Sequence, residues 1–303
     1  MSEETLSGVL CFNKPSGCTS HDIIYRVRRL YGTRQVGHTG TLDPLAEGVL
    51  VVMVGRAVKA SELLSSDTKE YVATLKLGLT TDTEDITGNV IAEYSHPLPD
   101  FSAVKAVAKE FVGDIFQTPP MYSALKVDGK KLVDLARSGK TVEREKRQVC
   151  VEKLDVFETD TAGEYLLNTR VSKGTYIRTL CADIGKKLGC GAVMKTLTRT
   201  SAGAFGIEDS FTEEELKQMT PEERVKALVP IDKLFEDSPE VKLSDFFAKL
   251  ALCGCEIYQK KIKSDIPLGS LVRMYDKNGF FAVGRVQDYP DGSAIKPLKQ
   301  FRI

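Results

Sequence analysis

Asp43 is the side chain whose neighbours best suit it to chemistry. It lies in the run Gly37-His38-Thr39-Gly40-Thr41-Leu42-Asp43-Pro44-Leu45-Ala46-Glu47-Gly48. Glycines there permit close backbone approach, and Pro44 pushes the aspartate toward an extended conformation. Such a loop can offer one carboxylate to a ligand, as a covalent nucleophile or as a proton-abstracting base. From spacing alone the commoner case is an ordinary turn residue before proline. A lone His38 is likewise more often a hydrogen-bonded structural residue than a catalyst.

Competing signatures fail when tested. The chain has no G-x-S-x-G elbow and no phosphate-binding P-loop, and Gly189-Cys190-Gly191 follows a helical pattern instead of opening one. Ser20-His21-Asp22 are consecutive at a helix start, where side chains diverge around the axis and cannot form a relay. A glycosidase would need a second carboxyl group, for which Glu47 and Asp85 are the candidates. The seven cysteines are scattered and never spaced C-x-x-C, which argues against a disulfide framework or zinc ribbon and fits a reducing cytoplasm. His21, His38 and His96 lie far apart, so no metal is expected.

These residues need a scaffold, and 303 residues with 42% hydrophobic content can bury a sizeable core. Gly8 to Phe12 reads as a strand entering the turn Asn13-Lys14-Pro15. From Thr19 the period becomes helical, with Ile23, Ile24, Val27, Leu30 and Tyr31 on one face, Arg26, Arg28 and Arg29 opposite, and a Thr19-x-x-Asp22 capping box. Val49 to Val54 reads as a buried strand, Lys69 to Leu77 as an alternating one, Thr80 to Gly88 as a turn before a strand near Val90, and Leu166 to Val171 as another strand. A second amphipathic helix is predicted from Thr175, with Gly189 as its C-cap. The tail carries a hairpin, Leu271 to Tyr275 and Phe280 to Val286, around an Asn-Gly turn. The mixture without strict β/α alternation predicts an α+β fold, with a main domain over 1–237, which the resemblance given below makes the catalytic one, and a small β-rich domain over 241–303.

The acidic start, Met1 to Thr5, lacks the apolar core of a signal peptide, and the six apolar residues from Val49 are too few to span a bilayer. A soluble, cytoplasmic protein with no membrane association is expected. Formal net charge is zero, so a nucleic-acid partner would need local basic patches. Lys126 to Arg147 holds eight basic residues against four acids, Lys173 to Arg199 six against one, and Glu208 to Glu240 eleven acids against four bases. One such run is usually a solvated face, but two basic segments favour a polyanion track.

Six segments carry a more specific signal. They are Lys14 to Ser20, Gly37 to Gly48, Lys69-Glu70-Tyr71, Thr81-Asp82-Thr83-Glu84-Asp85, Gln117 to Lys126 and Ser172 to Leu180. Their order resembles the motif set of bacterial tRNA pseudouridine-55 synthases, the TruB family, and covers about residues 8–206. The resemblance implies the pseudouridine synthase fold, a mixed and mainly antiparallel sheet with flanking helices, followed by a PUA-like RNA-binding tail. It implies a reaction that breaks a glycosidic bond and rejoins the base through C5, with no redox change and no cofactor.

By the same resemblance, Asp43 is the catalytic aspartate, kept ionised by Arg178, and Tyr71 is the active-site tyrosine stacked on the base. Tyr176 and Leu197 form the pocket wall, and His38 contacts the loop left behind by the flipped nucleotide. Lys14 and Pro15 buttress the catalytic loop, and about 119–147 form an RNA-clasping insertion. The partner implied is the T stem-loop of tRNA, with no obligate protein partner and a monomeric state. A non-catalytic RNA-binding module is the alternative, for which the basic segments and the tail suffice without Asp43.

Overall fold

Alternation of apolar and polar residues produces the strand Lys69–Leu77, buried at Tyr71, Ala73, Leu75 and Leu77, and this strand runs through the middle of the main sheet of the computed structural model. The structure describes residues 6–64, 68–94, 97–127 and 129–302. The acidic start and His96 lie outside the described residues.

In chain order the first elements are β1 (Gly8–Lys14), α1 (Ser20–Tyr31), β2 (Val36–His38), β3 (Glu47–Val54), α2 (Ser61–Leu64) and β4 (Lys69–Leu77). A hairpin of β5 (Leu79–Thr81) and β6 (Val90–Glu93) follows, then α3 (Phe101–Lys109) and β7 (Gly113–Gln117). The short hairpin β8 (Lys126–Val127) and β9 (Lys130–Lys131) and the helix α4 (Leu132–Arg137) stand off the main sheet. β10 (Arg147–Glu158), β11 (Glu164–Val171), α5 (Ile177–Lys187), β12 (Ala192–Ala202) and β13 (Phe205–Gly206) complete it.

The order is β1-β3-β12-β4-β11-β10-β7, with β2 on β3 and β13 on β12. Only the β12–β3 pair is parallel among these ladders, so the sheet is mixed and mainly antiparallel, as expected. One face is covered by α1, α3 and α5, whose apolar stripes join Leu10, Phe12, Leu50, Leu75 and Leu167 in the largest core. Thr19 caps α1 in the reciprocal box its spacing predicts.

Beyond β13, the short helices α6 (Glu213–Gln218) and α7 (Pro221–Lys226) each begin in a Thr/Glu capping box, which accounts for part of the acidic run. The tail then forms its own sheet. Its elements are β14 (Glu240–Lys242), α8 (Asp245–Leu252), β15 (Ile257–Tyr258), α9 (Gln259–Ile262), β16 (Leu271–Asp276), β17 (Gly279–Gln287) and β18 (Ala294–Gln300), with strand order β14-β16-β17-β18-β15. The Asn-Gly hairpin is present as β16–β17. Phe281, Val272 and Ile295 centre a core of the tail, while Val283 and Phe301 pack against Val9, Val49 and Met53 on the outer face of β1 and β3.

Three expectations need correction. Gly189 is not the cap of α5: Leu188 is, and Gly189 follows it with φ +76°. The loop around Asp43 is shorter than its glycines suggest, because Val36–His38 and Glu47–Val54 pair as strands. The basic run Lys173 to Arg199 is not an open track, since Arg178 and Arg199 are buried and Lys187 and Lys195 pair with Glu110 and Glu164. The first run does reach solvent, with Lys126, Lys130, Lys131, Arg137, Lys140, Lys146 and Arg147 exposed. No helix among the described residues is long and apolar enough to cross a membrane.

Candidate active site

The Asp43 loop is gripped from three sides. From α1, Ser20 Oγ accepts the Leu42 amide at 2.8 Å and donates to the Leu42 carbonyl at 3.0 Å. From the turn before α1, Gly17 N donates to Pro44 O and Ser16 Oγ to Leu45 O, both at 2.8 Å. Beneath the loop, the fully buried Lys14 spends its ammonium donors on carbonyls: Ala46 at 2.5 Å, Pro15 at 3.0 Å and, more loosely, Pro44 at 3.4 Å. Burial pulls the Lys14 pKa down, against the nearby Cys18, Asp43 and Glu47.

A second buried cation, Arg199 on β12, holds the loop's flanks. Its Nε donates to Val49 O at 2.6 Å and Nη2 to Gly40 O at 3.2 Å. Among the described residues Arg199 makes no ion pair, so backbone carbonyls alone solvate it. Gly48 lets β3 approach: its φ is +94°, and a Cβ there would stand 2.3 Å from Arg199 O.

Held this way, Asp43 meets Arg178 across 135 residues of sequence. Arg178 Nη2 donates to Oδ1 at 3.2 Å, and Nε lies 2.8 Å from Oδ2, where its N–H direction misses the oxygen. Arg178 is in the first turn of α5 and 3% exposed, so it is not a surface arginine. Its other donors reach Thr83 O and Tyr122 O, both at 3.0 Å. Those carbonyls fix the guanidinium plane before any substrate arrives. A third of the Asp43 side chain stays open, enough for an approaching ligand atom.

The charge balance at Asp43 differs from expectation. Burial raises its pKa above the ordinary carboxylate value, Arg178 and Lys14 lower it, and Asp85 raises it further, with a net upward shift. Arg178 therefore limits the rise and does not reverse it. Asp85 is buried, with Oδ2 3.8 Å from Arg178 Nη1, and accepts hydrogen bonds from Thr83, Thr87 and the Thr87 amide. Between Thr83 and Asp85, Glu84 adopts φ +64° and accepts from Thr179 Oγ1 at 2.6 Å, tying the turn to α5. Burial raises the Glu84 pKa as well.

The remaining predicted residues surround this pair unequally. Tyr176 caps α5, its backbone clasped at N and O by the Gln117 amide, and its phenol is pushed up by burial with Ser123, Arg178 and Asp43 acting on it. Tyr71 on β4 lies opposite Arg199, and Leu197 opposite Ala73; both belong to the apolar cluster that contains Leu42 and Ile177. His38 ends β2 at the entrance of the loop. Burial lowers its pKa, helped by Arg199 and His21, so it is held neutral, and its Nδ1 is enclosed without a hydrogen-bond partner among the described residues. Glu47 is exposed and accepts from Thr198, away from the buried pair.

Arg199 and the positioning part played by Asp85 escaped the sequence reading. Asp85 sat inside a recognised motif, but nothing in the spacing said that its carboxylate turns toward Arg178. Arg199 closed a basic run and carried no other signal. The assembled site offers one anionic oxygen, a fixed guanidinium and aromatic and aliphatic walls, without three metal-ligating side chains clustered among the described residues.

Comparison with known proteins follows the same outline. The family model described as TruB family pseudouridylate synthase, N-terminal domain, matches residues 28–177, and the tRNA pseudouridylate synthase B C-terminal domain matches 178–236. The chain is 40% identical over 286 residues to tRNA pseudouridine synthase B of Clostridium kluyveri, covering 94% of this chain and 97% of the relative. It is 42% identical over 278 residues to the Burkholderia mallei protein of the same name, covering 91% of each. Among solved structures, one chain from a Cbf5–Nop10–Gar1 complex superposes with TM-score 0.72 at 28% identity, over 97% of this chain and 84% of that one. Another, from an H/ACA ribonucleoprotein bound to a substrate RNA containing 2'-deoxyuridine, does so with TM-score 0.71 at 26% identity, over 98% and 85%.

Proposed function

Because this chain belongs to the TruB family of pseudouridylate synthases, and so isomerises uridine to pseudouridine in tRNA, we propose that its target is uridine 55 in the T loop, with Asp43 as the catalytic carboxylate. The observation that carries this reading is the Asp43–Arg178 pair, with a third of the Asp43 side chain open to solvent and the Arg178 guanidinium locked by carbonyls.

In the reaction the N1–C1' bond breaks, the uracil turns, and a C5–C1' bond forms. The C5 proton leaves and N1 ends protonated, so atoms and electrons balance without an external reagent. Asp43 acts on the ribose or the base, as nucleophile or as proton acceptor. Arg178 keeps enough of it ionised in a site that burial would otherwise neutralise.

A stacked uridine must be extruded at a cost of roughly a few kcal/mol. Tyr71, Tyr176 and Leu197 receive the flipped base, and neutral His38 fills against the loop it leaves. The exposed lysines of 119–147 close on the T arm, and the tail at 241–303, a PUA-like unit, adds RNA contact. The tRNA pool places the enzyme in the cytoplasm.

Product mapping tests the target. Unmodified tRNA incubated with the protein gains pseudouridine at position 55 and releases no free uracil. Pseudouridine at another position would overturn the assignment, and free uracil would mean hydrolysis.

A further inference from the structure

Helix α1 carries a side-chain cluster that neither the core nor the Asp43 site uses. Tyr25 is 54% exposed on its outer face. One turn earlier, the exposed His21 meets it edge to face, ring centroids 4.8 Å apart at 86°. Three residues later, the Arg28 guanidinium lies over the Tyr25 ring, 5.4 Å from its centroid. The i, i+4 and i, i+3 spacing stacks the three along one ridge. Among the described residues Arg28 makes no ion pair, and its Nε is enclosed without a hydrogen-bond partner. Packing against tyrosine, instead of a carboxylate, therefore holds this cation in place. By contrast Arg26, one face around, is neutralised by Glu213 at 2.8 Å.

The ridge is continuous with the candidate active site. Ser20, adjacent to His21, is hydrogen-bonded twice to Leu42 in the catalytic loop. His21 is also close enough to His38 to act on its protonation. An exposed aromatic ring beside an uncompensated guanidinium offers what an unstacked nucleotide needs: a π face, a second planar surface and a positive charge for phosphate. A protein partner of acidic character would use the arginine but not the open ring, so charge and aromaticity together favour RNA.

We propose that His21, Tyr25 and Arg28 form a nucleotide-stacking subsite on α1, which binds a nucleotide of the tRNA substrate other than the one that reacts. This rests on the tRNA reading above and extends the contact surface past the reacting uridine. Tyr25 supplies the stacking plane, His21 holds the ring upright, and Arg28 neutralises the accompanying phosphate.

Equilibrium binding of unmodified tRNA to the Asp43→Asn protein, at fixed salt, tests it. Adding Tyr25→Ala raises Kd about tenfold, the size expected for losing one base–aromatic stack, while adding Tyr25→Phe leaves Kd within about twofold. Arg28→Ala weakens binding and lowers the salt slope by about one. Unchanged affinity in Tyr25→Ala would overturn the subsite and leave the ridge to some other partner. Equal loss in Tyr25→Phe would overturn stacking, because only the hydroxyl differs. Product mapping with the wild-type protein reads the target separately. Modification away from position 55 with a Tyr25-dependent Kd would sink that assignment and spare this subsite.

Discussion

At the scale of single residues, the site turns on how two opposing effects balance at one carboxylate. Burial raises the Asp43 pKa and Arg178 pulls it back. On the proposed reading Asp43 acts in its ionised form, so turnover falls as pH drops through that raised pKa. Arg178→Gln removes the lowering influence, so the acid limb of the kcat profile moves to higher pH, and kcat at neutral pH falls at least about 100-fold. A limb that stays in place would mean the guanidinium does not govern Asp43. The folded state holds the Asp43 proton more tightly than the unfolded one. Asp43 therefore costs stability as pH rises from its ordinary to its raised pKa. Asp43 and Arg178 were legible only through the order of motifs, because no local pattern joins residues 135 positions apart. The upward net shift was not legible, since it depends on how deeply the fold encloses the loop.

At the scale of elements, strand ends and helix starts do the positioning. The loop between β2 and β3 has its carbonyls gathered by two buried cations, Lys14 from β1 and Arg199 from β12. Lys14→Met leaves those acceptors unpaired, and a loss of about 2–4 kcal/mol is expected in urea unfolding. Gly48→Ala forces a Cβ into Arg199 O at a positive φ. It should lower stability by at least about 2 kcal/mol and turnover by at least tenfold, and a variant with normal melting and activity would show that the loop tolerates displacement. The Asn-Gly turn exposed the hairpin of the tail. Periodicity exposed β4 and α1, because each has one buried face. It did not expose β12, whose two register shifts break the alternation, nor the half-exposed edge strand β7 with Phe116 in solvent. The φ +64° of Glu84 was equally hidden: a glutamate gives no local sign of a left-handed conformation, which here is held by Thr179 and the pairing of Asp85 with Met194.

At the scale of the whole molecule, the tail is both a separate sheet and a cover. Val283 and Phe301 shield Val9, Val49 and Met53, and Arg56 and Lys59 bind the Phe301 and Gln300 carbonyls at 3.1 and 3.0 Å. Removing residues 241–303 should lower the melting midpoint by at least about 5 °C and create dye-binding apolar surface. An unchanged midpoint would make the tail a loosely attached module. A neutral total charge concealed segregation that the fold made partly visible: the lysines of 126–147 face solvent, whereas Arg178 and Arg199 turned inward to hold the loop. Affinity for tRNA should therefore fall at least about tenfold between 50 and 200 mM salt, and flat binding would remove the basic insertion from recognition. The reaction itself tests the central assignment most directly, by comparing wild-type and Asp43→Asn protein for pseudouridine formed and for tRNA bound. The expected result is no detectable pseudouridine from Asp43→Asn with Kd within about threefold of wild type; turnover above roughly one per cent of wild type would contradict Asp43 as the catalytic carboxylate.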